Sequence, residues 1–291
     1  MKIGLSSYSL SKAIRAGEMT VLDAVQWVAD HGGEHVEISP IGFSLDNNPE
    51  LIRALVRKAG EAGIEISNYC VGANFVQPDE AAFEAEIARV MKQVDIAREL
   101  GVKTMRHDVA SRPIPEATLM QFVAELGKLA EACRRIADYA AQFGITTSVE
   151  NHGFYMQGSD RVQALVHAVG RENFRTTLDI GNFMCTDEDP VVATRKNLPI
   201  ACMVHMKDFY LRPAHRNPGE GWFRTAGGNY LRGAIVGHGD IDIRSVIREI
   251  KKSGYDGYIS IEFEGLEPCT FGSKAGLDNV RRLWDEVKIS G

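Results

Sequence analysis

Glu150 and His152 stand two residues apart in SVENHG (148–153), at the end of the β-branched run GITTSVENHG. Residues two apart on a strand share a face, so an acid and an imidazole point the same way. The pattern recurs along the chain. Asp179 ends FRTTLDIG, His205 and Lys207 share a face of CMVHMKD, and Glu262 and Glu264 share a face of ISIEFE. Arg106 and Asp108 alternate with Met105 and Val109, and Glu37 lies between Val36 and Ile38. Six acids thus face two bases, a sum of -4 with neutral histidines, and each uncompensated buried charge costs several kcal/mol. Either some carboxylates stay protonated or a cation sits among them. A divalent ion held by Glu150, Asp179, His205 and Glu262 is the economical answer, each residue coming from a different strand at a similar height. Three carboxylates and one imidazole suit Mn²⁺, Mg²⁺, Co²⁺ or Zn²⁺. One acid at a strand end is ordinarily solvated, and one buried histidine is ordinarily hydrogen-bonded core. Four in register are a site.

The elements that must position them alternate along the whole chain. Strand candidates are residues 2–9, 35–39, 64–70, 102–110, 145–153, 174–183, 201–209 and 258–265. Between them lie amphipathic stretches with recognisable ends. TVLDAVQWVADHGG offers Thr20 as N-cap, Asp23 three residues on and glycine after the last turn. NNPELIRALVRKAGEAG places Asn48 before Pro49, and proline suits a first helical position. The longest helices start near Pro78 and Pro115, and shorter ones are expected near 159–170, 188–198, 242–253 and 274–288. Eight βα units in series predict an α/β fold, a single (β/α)8 TIM barrel spanning residues 1–291. An open doubly wound sheet would carry a glycine-rich first turn, and LSSYSLSK is not one. In a barrel the apolar strand faces pack on helices, and polar residues at the C-terminal strand ends form the active site.

Composition narrows the partners. The 291 residues are 44% hydrophobic and 25% charged, with a net charge of -6, so no nucleic-acid partner is expected. No apolar run approaches the ~20 residues needed to span a bilayer, so no membrane partner is expected. MKIGLSSYSLSK lacks the apolar region of a signal peptide. Five scattered cysteines without a CxxC pair suit a reducing, cytoplasmic setting and buried packing roles. A homo-oligomer, dimer or tetramer, is expected for the fold.

SVENHG, TLDIGNF, VHMKDF, VGHGDID and YISIEFEG, in that order and spacing, resemble the xylose-isomerase-like TIM-barrel superfamily of sugar (and sugar phosphate) isomerases and epimerases. The superfamily also holds inosose-processing enzymes and apurinic endonucleases. The resemblance covers essentially the whole chain and is densest from 145 to 265. It implies one divalent ion, Mn²⁺ first among the four candidates, bound by Glu150, Asp179, His205 and Glu262. It implies isomerase or epimerase chemistry on a small carbohydrate. The ion polarises the carbonyl of an α-hydroxyketone, and Glu150 and Glu262 shuttle the proton through an enediolate. His152 joins the catalytic candidates, as a substrate contact or as an extra acid or base. Lys207, Asn182, Arg106, Glu37 and Trp222 are the substrate-binding candidates. For Lys207 a salt bridge to Asp208 or Glu264 competes with that role. Asn182 stands where many ketose epimerases have a histidine, which weakens transfer of the ketose 3-epimerase reaction itself.

A stretch of about thirty residues (210–240) follows the seventh strand, far longer than an ordinary βα loop. It carries Arg212, Arg216, Arg224 and Arg232, suited to a phosphate or carboxylate, and Trp222, suited to stacking on a sugar. A partner-subunit contact is the competing role for this stretch. The same site would equally serve a metal-dependent lyase on a keto sugar, inosose-dehydratase-like or C-glycoside-cleaving. An endonuclease is disfavoured by only eight histidines and the acidic balance. A non-catalytic sugar-binding barrel is disfavoured by the intact acid set.

Overall fold

The computed structural model describes residues 1–289. Eight of its strands close into a parallel barrel. In chain order these are β1 (Lys2–Ser6), β2 (His35–Ile38), β3 (Glu65–Val71), β4 (Thr104–His107), β5 (Thr146–Glu150), β6 (Phe174–Asp179) and β7 (Ala201–Met206). Three short strands follow, β8 (Asp208–Arg212), β9 (Phe223–Arg224) and β10 (Tyr230–Ala234), and β11 (Tyr258–Ile261) then closes the barrel against β1 and β7. Helices α1 (Ser11–Arg15), α2 (Val21–Asp30), α3 (Pro49–Ala62), α4 (Glu80–Leu100) and α5 (Leu119–Ala141) connect the first strands. α6 (Ser159–Val169), α7 (Pro190–Asn197), α8 (Ile243–Lys252) and α9 (Cys269–Glu286) complete the shell. The fold is a (β/α)8 TIM barrel. Among the described residues, no helix is long and apolar enough to cross a membrane.

Local signals set the helix ends. Thr20 Oγ1 accepts from Asp23 N while an Asp23 carboxylate oxygen accepts from Thr20 N, a reciprocal cap at the start of α2. Asn48 caps α3 ahead of Pro49, and Gly63 ends it at φ 71°, a left-handed conformation that glycine adopts without strain. The strands stop earlier than their alternation suggests. β1 ends at Ser6, whose Oγ accepts from Tyr8 N and turns the chain into a 3-10 segment over Ser7–Leu10. β11 ends at Ile261, leaving Glu262 and Glu264 just beyond the sheet.

Alternation divides the core. Val36, Ile38, Val149, Leu178, Ile180, Val204, Met206, Ile259 and Ile261 are all fully buried, each burial being favourable by roughly 1.5–3 kcal/mol. Register does the rest. The β6–β7 pairing shifts by one residue between Thr176 and Thr177, so Asp179 lies opposite His205. A second shift, between Val36 and Glu37, sets Glu37 opposite Asn68.

The excursion after β7 is an antiparallel sheet in the order β8-β10-β9. Its base is fastened by the buried Asp208, whose carboxylate accepts from the backbone N–H groups of Phe209, Gly237, Gly239 and Ile241. Gly239 is required there, since a Cβ would lie 2.2 Å from Asp208 Oδ1.

Candidate metal centre

Glu150 ends β5, Asp179 ends β6, His205 lies in β7 and Glu262 follows β11. All four are buried, and one ligand-type atom from each lies within 4.8 Å of the others. His205 Nδ1 stands 3.5 Å from Glu150 Oε1, 3.6 Å from Glu262 Oε1 and 3.9 Å from Asp179 Oδ2. Two bonds of about 2.2 Å to one ion span at most roughly 4.4 Å, so small adjustments would close these donors on a single cation. Their valences agree. His205 Nδ1 and Asp179 Oδ2 are buried and make no hydrogen bond, although buried polar atoms are ordinarily paired. Three carboxylates and an imidazole with two such atoms fit a divalent ion.

Each donor is aimed by a neighbour. His205 Nε2 lies 3.0 Å from Glu37 Oε1, in position to donate, which turns Nδ1 toward the cluster. Asp179 Oδ1 accepts from the N–H groups of Gly181 and Asn182, each at 2.8 Å, which leaves Oδ2 directed inward. Asn151 clamps the same strand end: its Nδ2 donates to Asp179 O and its Oδ1 accepts from Asp179 N. Glu150 Oε2 is gripped by Arg106, through Nε at 2.6 Å and through a contact with Nη2. Lys207 Nζ lies 2.8 Å from Glu262 Oε2, 3.2 Å from Asp179 Oδ2 and 3.5 Å from Glu264 Oε2.

The electrostatics follow from that arrangement. Burial alone would raise the Glu37 carboxyl, but His205, Cys70 and Asn68 hold it down, to about 2. Burial lifts Asp179 to about 6 against the pull of Lys207. Burial opposes charge on His205, yet the carboxylates of Glu37, Glu262 and Glu150 outweigh it and raise the imidazole well above its usual range. The Glu150 carboxyl, also buried, is held well below its usual range, chiefly by Arg106.

A cavity of about 260 Å³ opens above the cluster, and Glu150, Glu262, Arg106, Lys207 and His152 line it. His152 is half exposed, with Nδ1 3.6 Å from Asp108 Oδ1. Other expected substrate contacts lie elsewhere. Glu37 is fully buried behind His205 and outside the cavity wall. Asn182 bridges from below, its Nδ2 donating to Glu150 Oε1 and its Oδ1 accepting from Lys207 Nζ. Trp222 is off the wall, with the Arg212 and Arg232 guanidinium groups each 5.4 Å from its ring. Of the expected partners of Lys207, Glu264 is near, whereas Asp208 is occupied by backbone N–H groups. Sequence reasoning missed Tyr8, Cys70, Asn68 and Asn151. The asparagine inside SVENHG was the one available signal, a polar residue on a face that should be apolar.

The model of the xylose isomerase-like TIM barrel matches residues 25–283. The chain belongs to the xylose isomerase-like TIM barrel family. Among its relatives, the rhizopine catabolism protein MocC of Rhizobium meliloti is 25% identical over 301 aligned positions, 85% of this chain and 88% of that protein. An inosose dehydratase of Lacticaseibacillus casei is 25% identical over 141 positions, 48% of this chain and 47% of that enzyme. Among solved structures, D-psicose 3-epimerase of Clostridium cellulolyticum H10 superposes with a TM-score of 0.73 at 17% identity, covering 98% of this chain and 99% of that one. At that identity the likeness concerns the barrel alone.

Proposed function

We propose that this xylose isomerase-like barrel is a divalent-metal-dependent isomerase or epimerase of a keto sugar or sugar derivative. The observation that carries the reading is the split use of two carboxylates. Glu150 and Glu262 each direct Oε1 toward His205 Nδ1, while each Oε2 faces a cation, Arg106 for one and Lys207 for the other. One oxygen of each is thus placed to hold an ion and the other to take or return a proton at the cavity wall. A divalent ion bound there supplies the polarisation of a substrate carbonyl and the charge that balances its adjacent oxygens. Arg106 and Lys207 orient the carboxylates, and Arg106 keeps Glu150 ionised. Mn²⁺ is the first candidate for the ion, with Co²⁺, Mg²⁺ and Zn²⁺ behind it.

A second reading, a lyase on the same class of substrate, is favoured by His152. It is exposed to the cavity and faces Asp108, so it is placed to give a proton to a departing group. The likeness to an inosose dehydratase agrees with that possibility. Incubating Mn²⁺-loaded protein with keto sugars and inososes in D₂O tests both readings. Deuterium at the carbon beside the carbonyl with recovered epimer or isomer supports the first, and loss of water or an aglycone supports the second. No deuterium uptake from any of them sinks both.

A further inference from the structure

We infer that the substrate is an uncharged polyhydroxylated ketone of monosaccharide or cyclitol size, not a sugar phosphate or sugar acid. This rests on the proposed function and adds the substrate's charge. The cavity wall presents four carboxylates, Asp108, Glu150, Glu262 and Glu264, against two permanent cations, Arg106 and Lys207. Both cations are already engaged. Arg106 spends Nε and Nη2 on Glu150 and holds Nη1 3.3 Å from Asp108 Oδ1, while Lys207 Nζ lies within 3.5 Å of three carboxylates. With Glu37 and Asp179 behind the wall, a divalent ion still leaves the neighbourhood two charges negative. His152, the remaining basic side chain on the wall, faces Asp108.

A phosphoryl group would need a permanent cation not already paired with a carboxylate, and the wall has none. Among the described residues, none that line it lies in the first turn of an α-helix, where backbone N–H groups receive anions. The arginines of the excursion stand off the cavity wall. Arg212 pairs with Asp240 and stacks on Trp222, Arg224 donates to Tyr230, and Arg232 lies 4.8 Å from the Tyr210 ring with its Nε buried and unpaired. Arg216 is exposed and off the wall.

What the wall does offer is acceptors. Asp108 Oδ1 makes ion-pair contacts with Arg106 and His152 but no hydrogen bond, and Glu264 engages its neighbours through Oε2 alone, with Tyr8 and Lys207. Such oxygens receive hydroxyl protons and repel phosphate. The volume of about 260 Å³ lies below the ~300–1,000 Å³ of pockets that hold drug-sized ligands.

The test is equilibrium binding to Mn²⁺-loaded protein by calorimetry, with turnover followed in parallel. The probes are D-fructose with D-fructose 6-phosphate, D-tagatose with D-tagatose 6-phosphate, 2-keto-myo-inositol, and D-fructuronate. At least one neutral ketone is expected to bind, with its charged counterpart at least ten-fold weaker. Glu264→Gln should narrow that ratio several-fold by removing a negative wall charge. A phosphorylated or carboxylated probe binding as tightly as its neutral partner overturns the inference, as does a failure of every neutral ketone to bind. Neutral binding without turnover keeps the charge assignment and removes the proposed reaction. Tight phosphate-ester binding with turnover does the reverse.

Discussion

His205 is held between two kinds of carboxylate: Nε2 lies 3.0 Å from Glu37 Oε1, while Nδ1 faces Glu150 and Glu262 at 3.5 and 3.6 Å. Glu37 is therefore placed to act as a positioning residue, setting which nitrogen would be available to an ion. Glu37→Gln keeps an acceptor but removes the charge, and metal affinity should fall about ten-fold, in the range of ~10–100-fold for such supporting groups. Calorimetric titration with Mn²⁺ measures this. Unchanged affinity in a folded variant would remove the role.

The raised proton affinity of His205 has a thermodynamic consequence for ion uptake. The metal-free imidazole, surrounded by carboxylates, holds its proton at neutral pH, and a ligand nitrogen must give it up. Binding should release about one proton per ion, and affinity should rise with pH. Titrations in two buffers of different ionisation enthalpy report the proton count. Identical heats in both would show that the nitrogen is already free.

Glu262→Gln separates ion binding from proton transfer. An amide oxygen can still approach a cation but cannot carry a proton, so exchange at the substrate carbon should drop ~10²–10⁴-fold while much of the bound metal is retained. Elemental analysis and deuterium wash-in on the same sample provide the check. Full exchange with full metal content would shift the proton to another group.

Two histidines outside the site contribute to acid sensitivity. Burial lowers His35 and His107 from the ordinary 6.5 to about 4. Between pH 6.5 and 4 each of these two side chains binds more protons unfolded than native, so the stability it supplies is full above 6.5 and declines as pH falls through that window, while Asp179 and Asp208, raised to about 6, act in the opposite sense. Each histidine contributes about 3 kcal/mol of this loss, from ~1.4 kcal/mol per unit. Asn at 107 can still donate toward Asp108 O, which lies 2.9 Å from the His107 Nδ1. Urea unfolding of His107→Asn at pH 7.5 and 4.5 should lose markedly less stability between them than the parent does. Equal losses would assign the acid lability elsewhere.

Alternation made the barrel and the clustered acids legible, because Glu150, Asp179, His205 and Glu262 each stand where a strand face should be apolar or small. What alternation cannot express is depth. Glu37 and Arg106 share the inward side, yet one lies wholly behind His205 and the other reaches the cavity wall. Tyr8 reaches that wall only because β1 stops at Ser6, an event governed by one hydroxyl and a tight turn rather than by hydropathy. Trp222 is suited to a sugar by residue type, but Arg212 and Arg232 of the adjoining small sheet already lie over its ring, off the cavity wall.

The one-residue shift between Thr176 and Thr177 would give a bound ion an influence on folding itself. In the unshifted alignment Asp179 would lie beside Val204, and the donor set would be broken. Only the correctly aligned barrel can then capture a cation. Ligation adds RT ln(1 + [M]/Kd) to that alignment and nothing to its neighbour, so a dissolved ion would proofread how two strands are laid together.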